Sequence, residues 1–284
     1  MKSVNARPIA RVFMTAVALL LATVARARAE TFVVDSSHCL MRPRQILQVG
    51  SPVFSVLSDV FVDRASWVRK GDVVAKLNST VEEAQLALDR DRAANATAIE
   101  SARSELQYYQ RELGRRQQLA GNMFSKANEI DEMTTKADQA RIAIRKAEAD
   151  QRLAGLEANR SQRQLELRLI RSPVDGVVIE LKLMPGEFVY ETTPIMTIAQ
   201  VDPLSVELVI PASQYLAVVL GESLDVHLEY PLDLIRAAKV DAVDPVVDPA
   251  SDTFRVRLSL PNPTRSIPAG IRCSVDLPTS PPGG

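Results

Sequence analysis

One β motif occurs twice in this chain, and the two copies begin 121 residues apart. The first copy reads SPVFSVLSDVFVDRASWV from Ser51, and the second reads SPVDGVVIELKLMPGEFV from Ser172. Both copies alternate apolar and polar residues, which is the period of a half-buried strand. Because each copy is too small to bury its apolar face alone, the two are predicted to dock as one pseudo-twofold sandwich.

The long segment between the two copies is predicted to be helical. It contains no proline between Pro52 and Pro173, whereas 14 of the 17 prolines lie in residues 173–284. Proline is excluded from helix interiors and tolerated at turns and sheet edges. The middle of the chain should therefore be α-helix, and the remainder should be β-strands with turns.

Apolar residues of the middle segment recur at steps of three and four, as in a coiled coil. We expect two antiparallel helices of about 42 residues each, which would project roughly 60 Å from a turn at residues 119–126. The stripe of the first helix is Val81, Ala84, Leu88, Ile99, Ala102, Leu106, Tyr109 and Leu113. The stripe of the second helix is Ile130, Met133, Ala137, Ala140, Ile144, Ala147, Gln151, Ala154, Ala158, Ser161 and Leu165.

The first residues have the pattern of a secretory signal peptide. Basic residues precede an apolar run of about 14 residues from Val12 to Ala25, too short to span a bilayer as a helix. Ala27 and Ala29 then fit a signal peptidase site, so residues 1–29 should be removed on export from the cytoplasm. The remaining chain has 29 basic and 35 acidic residues, a formal charge of −6, which argues against nucleic acid as a partner.

The sequence offers no credible catalytic, cofactor-binding or metal centre. His38 and His227 are its two histidines, and no glycine-rich phosphate loop accompanies them. The acidic residues are spread over helix surfaces and strands, with no pair in a context suited to acid–base chemistry. We therefore expect a protein that is not an enzyme and that carries no cofactor.

The repeated motif resembles the two halves of a lipoyl or biotinyl-type domain split by a helical hairpin. The residues that carry the resemblance are VRKGDVVAKL (68–77) in the first copy, and RSPVDGVV (171–178) with PGEFV (185–189) in the second. This arrangement is similar to periplasmic adaptor proteins, the HlyD-like membrane fusion proteins of bacterial efflux pumps. Carrier domains of this type display a modified lysine on the turn between the halves. Neither Lys70 nor Lys76 lies in such a turn, so carrier chemistry is rejected.

The end of the chain resembles the closing part of the adaptor β-barrel. The matching residues are Asp248-Pro249-Ala250 with Thr253, then Asn262-Pro263, then Pro268-Ala269-Gly270 before the last strand. The resemblance implies a mostly β fold with a long coiled-coil hairpin. Its parts would be a signal peptide (1–29), an N-terminal strand joining the barrel (30–50), lipoyl-like halves (51–78 and 172–200), a hairpin (79–171), a β-barrel (201–277) and a tail (278–284). The seven residues after Leu277 leave no room for the family's membrane-proximal domain, which is expected to be absent.

The resemblance also implies partners and site residues. Similar proteins assemble as hexamers or dimers of trimers between an inner-membrane transporter, here expected to be of the resistance-nodulation-division (RND) type, and an outer-membrane channel. Their hairpin tip contacts the channel through an arginine, a leucine and a serine, which Arg115, Leu119 and Ser125 match in type and order. The N-terminal strand would lie beside the last barrel strand, so a disulfide between Cys39 and Cys273 is expected.

Two other functions compete with this interpretation. An adaptor of an ABC exporter or type I secretion system shares the same modules. A periplasmic scaffold or metal-binding protein could use His38, Cys39 and Met41, although no second cluster supplies further ligands.

The first copy lacks two glycines of the second. Ser55 and Ala65 stand where the second copy has Gly176 and Gly186. Because positive φ is costly for alanine, the turn at Ala65 is expected to be of another type.

Overall fold

The computed structural model describes residues 31–119, 125–229 and 231–278. The predicted signal peptide, the centre of the predicted tip and the tail after Pro278 therefore lie outside the described residues. None of the helices in the described ranges is long and apolar enough to cross a membrane. The chain divides into two compact units, the first formed by residues up to Pro43 together with those from Asp202, and the second by Arg44–Val201.

Three helices and thirteen strands make up the described chain. The helices are α1 (Thr80–Ala94), α2 (Thr97–Leu119) and α3 (Ser125–Glu166), and a short 3-10 helix covers Ala212–Ala217. The strands are β1 (Thr31–Val34), β2 (Cys39–Val49), β3 (Ser55–Val60), β4 (Trp67–Val68), β5 (Val73–Leu77), β6 (Leu169–Arg171), β7 (Gly176–Leu181), β8 (Phe188–Val189), β9 (Met196–Pro211), β10 (Ser223–Leu228), β11 (Leu234–Val243), β12 (Thr253–Leu260) and β13 (Cys273–Pro278). This is the predicted fold class, strands on both sides of a long helical segment, and it is confirmed.

The two copies of the motif form one sandwich with a pseudo-twofold relation, as predicted. β3 pairs with β8 through Ser55 opposite Val189, and β4 pairs with β7 through Val68 opposite Gly176. The two pairings are equivalent, because Ser55 corresponds to Gly176 and Val68 to Val189 at the offset of 121 residues. The β3–β5 pairing is equivalent to the β7–β9 pairing in the same way. Both contain a bulge, between Leu57 and Asp59 in the first and between Val178 and Glu180 in the second. The sandwich core is built from equivalent buried pairs, namely Leu57 with Val178, Val68 with Val189, Val74 with Ile195, Ala75 with Met196, and Leu77 with Ile198.

The expectation of a different turn at Ala65 is wrong. Ala65 has φ 67° and Gly186 has φ 96°, so both copies place a left-handed residue at the same position. The turns are also bonded alike: the Ala65 N–H donates to the Val178 carbonyl, and the Gly186 N–H donates to the Leu57 carbonyl, both at 2.8 Å. These bonds hold Ala65 in a conformation that an isolated alanine avoids.

The first long helix is broken, which corrects the prediction of one continuous helix. α1 ends at Ala94, Asn95 is extended with ψ 109°, and α2 begins at Thr97. The Asn95 side-chain oxygen accepts hydrogen bonds from the Thr97 N–H at 3.0 Å and from its hydroxyl at 2.6 Å. Asparagine competes in this way with helical backbone bonding, which accounts for the break. α3, with 42 residues, is continuous and about 63 Å long.

The predicted apolar stripes are confirmed on α2 and α3 and wrong on α1. Every stripe position from Ile99 to Leu113 and from Ile130 to Leu165 is buried or half-buried. On α1, by contrast, Val81 and Leu88 are 76% and 46% exposed, whereas Leu86 is 4% exposed. α1 is therefore rotated so that the row containing Leu86 and Asp89 faces α3.

The first unit is a small barrel-like sheet. β1, β13, β10, β11, β12 and the second part of β9 are neighbours in that order, and all five pairings among them are antiparallel. Its interior is filled by apolar side chains with at most 2% exposure, among them Leu208, Ile210, Val226, Val240, Phe254, Leu258 and Val275.

Cys39 and Cys273 are joined in a disulfide in the first unit, with 5.1 Å between their Cα atoms. The antiparallel bridge between Leu40 and Arg272 places the two cysteines next to each other. Both sulfurs are buried, because Cys39 is 1% and Cys273 0% exposed. The disulfide links residues 234 positions apart in the chain.

Candidate functional site in the helical arm

Both ends of the helical segment are attached to the split sandwich. The Leu77 N–H donates to the Arg168 carbonyl at 2.9 Å, which joins the strand that enters the arm to the residue that leaves it. The Arg168 guanidinium forms a half-buried ion pair with Glu82 of α1 and also donates to the Phe54 carbonyl of the sandwich. The arm therefore projects from one end of the sandwich and is fixed there at both of its chain ends.

A second anchor at the base involves Glu83 in the first turn of α1. Its carboxylate accepts from the Ser79 hydroxyl at 2.7 Å and from Lys76 Nζ at 3.0 Å. The hydrogen bond from Ser79, followed by that from Lys76, lowers the pKa of Glu83 below its ordinary value. A carboxylate in the first helical turn is also favoured by the helix dipole. Lys76 thus serves as an anchor for the arm, consistent with the rejection of a carrier role.

A buried carboxylate lies between α1 and α3. Asp89 is 5% exposed and accepts from the Ser161 hydroxyl at 2.6 Å and from Gln85 Nε2 at 3.0 Å. These bonds, with Ser161 first and Gln85 next, lower the pKa of Asp89. A buried charge is tolerated when it is hydrogen-bonded, and Asp89 can then hold α1 and α3 in a single register. Sequence reasoning missed it, although the placement of Ser161 on the α3 stripe was an available signal.

Ion pairs cross the hairpin farther along the arm. Arg103 of α2 lies 3.1 Å from Glu148 of α3, and Arg116 of α2 lies 2.7 Å from Glu129 of α3. These four side chains join the two sides of the arm. Such exposed pairs contribute at most about 1 kcal/mol each to stability. Their main effect is to favour one alignment of α2 along α3.

The predicted tip residues lie at the end of the arm that is far from the sandwich. Arg115 is largely exposed and pairs with Glu112 one turn earlier at 2.8 Å. Leu119 ends α2 and Ser125 begins α3, so all three predicted residues lie within the last turns of the hairpin. The residues between them, 120–124, are outside the described part of the chain.

The structure does not favour the rival metal cluster. Cys39 is in the disulfide, Met41 is 0% exposed in the core, and His38 faces Asp35 on the surface at 2.9 Å. The thiolate that a soft metal would require is therefore consumed. Within the ranges described, no group of three or more His, Cys, Asp or Glu side chains is arranged to hold a metal ion.

Two family models match the chain. The CzcB-like barrel-sandwich hybrid domain matches residues 45–200, and the CusB-like beta-barrel domain matches residues 205–281. Their boundary agrees with the division between the sandwich with its arm and the barrel.

Curated relatives are similar over most of this chain. The cobalt-zinc-cadmium resistance protein CzcB of Cupriavidus metallidurans is 24% identical over 231 residues, which are 78% of this chain and 40% of that protein. An uncharacterized protein of Haemophilus influenzae is 25% identical over 84% of this chain and 56% of its own length. The chain thus spans about half the length of the curated relatives it matches.

Solved structures share the fold. MacA from Actinobacillus actinomycetemcomitans superposes with a TM-score of 0.69 at 20% identity, covering 88% of this chain and 79% of MacA. The membrane fusion protein Spr0693 from Streptococcus pneumoniae R6 gives a TM-score of 0.52 at 12% identity, covering 87% of this chain and 98% of that one.

Proposed function

Because the chain belongs to the family of membrane fusion proteins with a CzcB-like barrel-sandwich hybrid domain, we propose that it is a periplasmic adaptor without catalytic activity. It would link an inner-membrane transporter of the RND type to an outer-membrane channel for efflux. The name of the CzcB relative refers to resistance to cobalt, zinc and cadmium, which makes divalent metal ions a candidate cargo of the partner transporter.

One observation supports this function most directly, the long arm inserted between the two halves of a sandwich. The insertion takes the place of the turn that displays the lysine in carrier domains. Its first end is bonded to the sandwich through Glu83 and Lys76, and its second end through Arg168 and the Phe54 carbonyl. An arm with a continuous helix of 42 residues can reach about 63 Å. A long arm of this kind suits a protein that connects two others.

The tip is proposed as the contact with the outer-membrane channel. Leu119 would fill an apolar notch between channel helices, while Arg115 and Ser125 would bond to polar groups around it. Arg115 is exposed, and its ion pair among the described residues is with Glu112 of its own helix, so it can exchange that partner at small cost.

A crosslinking experiment in cells tests the tip assignment. With a photoreactive residue at Gln118, the wild-type chain should form an adduct with an outer-membrane channel, and Leu119→Asp should abolish that adduct. Leu153→Asp is the matched control, because Leu153 is 58% exposed on α3 and lies far from the tip. Equal adduct yields for Leu119→Asp and wild type would contradict the assignment.

The transporter class is tested separately by isolating the full chain from crosslinked membranes and identifying the bound inner-membrane protein. Recovery of an RND-type transporter is expected. Recovery of an ABC exporter would show instead that the protein is an ABC-exporter adaptor, even if the tip contact is correct.

Export to an oxidising compartment is proposed together with the Cys39–Cys273 disulfide, since disulfides persist in the periplasm. Chain isolated from the periplasmic fraction and denatured without reductant should expose no thiol, and reduction should release two. Two titratable thiols before reduction would remove both the disulfide and the argument for the compartment.

A further inference from the structure

Three aromatic side chains form an exposed cluster on the sandwich, which we call the aromatic platform. Phe54 stacks on Phe188 with ring centroids 5.8 Å apart and contacts Tyr190 with centroids 5.4 Å apart. The three residues are between 54% and 56% exposed. Fully burying an aromatic residue removes about 150–250 Å², so the platform leaves roughly 300 Å² of apolar surface in water. A contiguous patch of this size on a small domain commonly marks a binding site.

The strand register places the three rings on one outward face. Ser55 lies opposite Val189, so Phe54 precedes β3 at the level where Tyr190 follows β8. Successive residues of a strand point to opposite faces of the sheet. Val189 is 0% exposed in the sandwich core, and its two neighbours, Phe188 and Tyr190, therefore point to the solvent side. The buried valine fixes the strand that carries two of the three rings.

The pseudo-twofold relation shows that the fold does not require three rings at this place. At the offset of 121 residues, the platform corresponds to Asp175, Trp67 and Arg69. Asp175 accepts a hydrogen bond from the Lys70 N–H at 2.9 Å, and Trp67 is half-buried, so the equivalent positions contribute to folding. The same backbone thus forms without an aromatic cluster, and the exposed rings have a role other than support of the strand pairing.

Polar groups border the aromatic platform. Glu187 and Glu191 flank the strand segment that carries Phe188 and Tyr190, and both glutamates are exposed. Glu187 accepts one hydrogen bond, from the Met184 N–H to Oε2 at 2.6 Å. In the part of the chain that the structure describes, the Glu191 carboxylate and the Tyr190 hydroxyl form no hydrogen bond or ion pair. Aromatic rings and available hydrogen-bond acceptors therefore lie side by side.

We infer that the aromatic platform binds a neutral glycan, a chain of linked pyranose units. A pyranose ring has apolar C–H faces, which pack on aromatic rings, and hydroxyls around its rim, which donate hydrogen bonds to carboxylates. Phe54 and Phe188, whose ring planes are 15° apart, would receive the sugar faces. Tyr190 would border them, and Glu191 would accept hydrogen bonds from sugar hydroxyls. Ligand sites commonly combine aromatic lining with a few placed polar groups in this way.

A neutral glycan fits both the rings and the carboxylates, whereas other ligands fit one or the other. An apolar protein segment over the platform would remove water from Glu187 and Glu191 without replacing its hydrogen bonds. A polymer that carries phosphate or sulfate groups would bring like charges close to the same two carboxylates. A sugar chain supplies apolar faces for the rings and hydroxyl donors for the carboxylates.

Glycan binding goes beyond the proposed adaptor function and does not depend on it. Its test uses the purified chain and a sugar, without a transporter or a channel. Failure of sugar binding would leave the adaptor function intact, and failure of the adaptor function would not alter the measured sugar binding. The proposed export bears only on the source of the ligand, because the bacterial periplasm contains a cell-wall glycan.

Saturation-transfer difference NMR of the full chain with chitotetraose, the β-linked tetramer of N-acetylglucosamine, tests the site. Wild type should transfer saturation to the ring protons of the sugar, and titration should give saturable binding. Phe54→Ser with Phe188→Ser should weaken that binding by about tenfold or more, because the stacking surface is lost. Glu191→Ala should also weaken it, and Glu191→Gln, which keeps a hydrogen-bond acceptor, should weaken it less than Glu191→Ala.

Matched controls separate the platform from exposed aromatic side chains in general. Phe61→Ser removes a ring of the same sandwich that is 57% exposed and that stacks on no other ring in the described ranges, so it should bind like wild type. Sulfated chitotetraose should bind more weakly than the neutral sugar. If the double variant fails to fold, as judged by circular dichroism, Tyr190→Ser replaces it and should also weaken binding.

Sedimentation of the chain with isolated cell-wall sacculi identifies the source of the glycan. Sedimentation of wild type with sacculi, lost in Phe54→Ser with Phe188→Ser, would support the wall polymer, and binding to chitotetraose alone would support a free oligosaccharide. Three results would overturn the proposal. They are a wild type without saturable sugar binding, a double variant that binds like wild type, and a Phe61→Ser variant that loses binding as the double variant does.

Discussion

The two halves of the sandwich have the same backbone and different side chains at several equivalent positions. In both halves the first serine, Ser51 or Ser172, bonds within its own turn, and the later turn has a left-handed residue. The halves differ where the second has glycine and the first has Ser55 or Ala65. The shared alternation of apolar residues therefore determines how the strands pair. The space around each position determines which side chain fits there.

The largest expected effect concerns the space around Gly176. A Cβ atom there would lie 2.5 Å from the Ala199 carbonyl oxygen, so any side chain forces the β7–β9 pairing apart. Gly176→Ser should lower the free energy of unfolding by about 3 kcal/mol, against less than about 1 kcal/mol for the reciprocal Ser55→Gly. Denaturant unfolding followed by fluorescence of Trp67, the single tryptophan, measures both. Equal losses would contradict the difference in space.

The equivalent aromatic residues Trp67 and Phe188 should differ next. Trp67 is half-buried, whereas Phe188 is 54% exposed. Trp67→Ala should lower the free energy of unfolding by about 2 kcal/mol, and Phe188→Ala by less than about 1 kcal/mol. Phe188 has less buried apolar area to lose, because it is already exposed in the folded protein. Thermal unfolding followed by circular dichroism measures both variants. A larger loss for Phe188→Ala would contradict the difference in burial.

The two turn serines should show similar and smaller effects. Ser51 is 6% and Ser172 2% exposed, and each hydroxyl donates to the carbonyl two residues later, at Val53 or Val174. Ser51→Ala and Ser172→Ala should each cost about 1 kcal/mol, the usual net contribution of such a bond. Denaturation midpoints of the two variants should therefore agree. A clear difference would show that the halves are not equivalent at this turn.

The smallest effects should come from the left-handed positions. No atom lies within 4 Å of a Cβ built at Gly186, so only its φ of 96° disfavours a side chain. Gly186→Ala should destabilise by about 1 kcal/mol, and Ala65→Gly should stabilise by about 0.5 kcal/mol because relief of strain exceeds the added freedom of the unfolded chain. Opposite signs in chemical denaturation are the decisive result. A destabilising Ala65→Gly would mean that the turn is unstrained at Ala65.

Sequence patterns predicted most of the helical arm but not its rotation. The α3 stripe followed directly from its regular spacing, and Ala137 and Ala140 are as buried as the pattern requires. The first arm was harder, because Val81 and Leu88 offered an equally regular apolar row. The helix break at Asn95 means that the apolar spacing of α2 does not continue into α1. The hydrogen bond between Asp89 and Ser161 then determines which face of α1 packs against α3.

The sequence by itself determined the architecture of this protein, because its signals are local. Apolar periods of two and of three to four, together with a proline-free middle, distinguish strands from helices without reference to distant residues. Only the tertiary structure decided which face of α1 is buried, that Ala65 accepts positive φ, and that Arg116 pairs with Glu129 across the arm. Each of these depends on a partner in another element of the structure, whose free energy of contact outweighs the local preference.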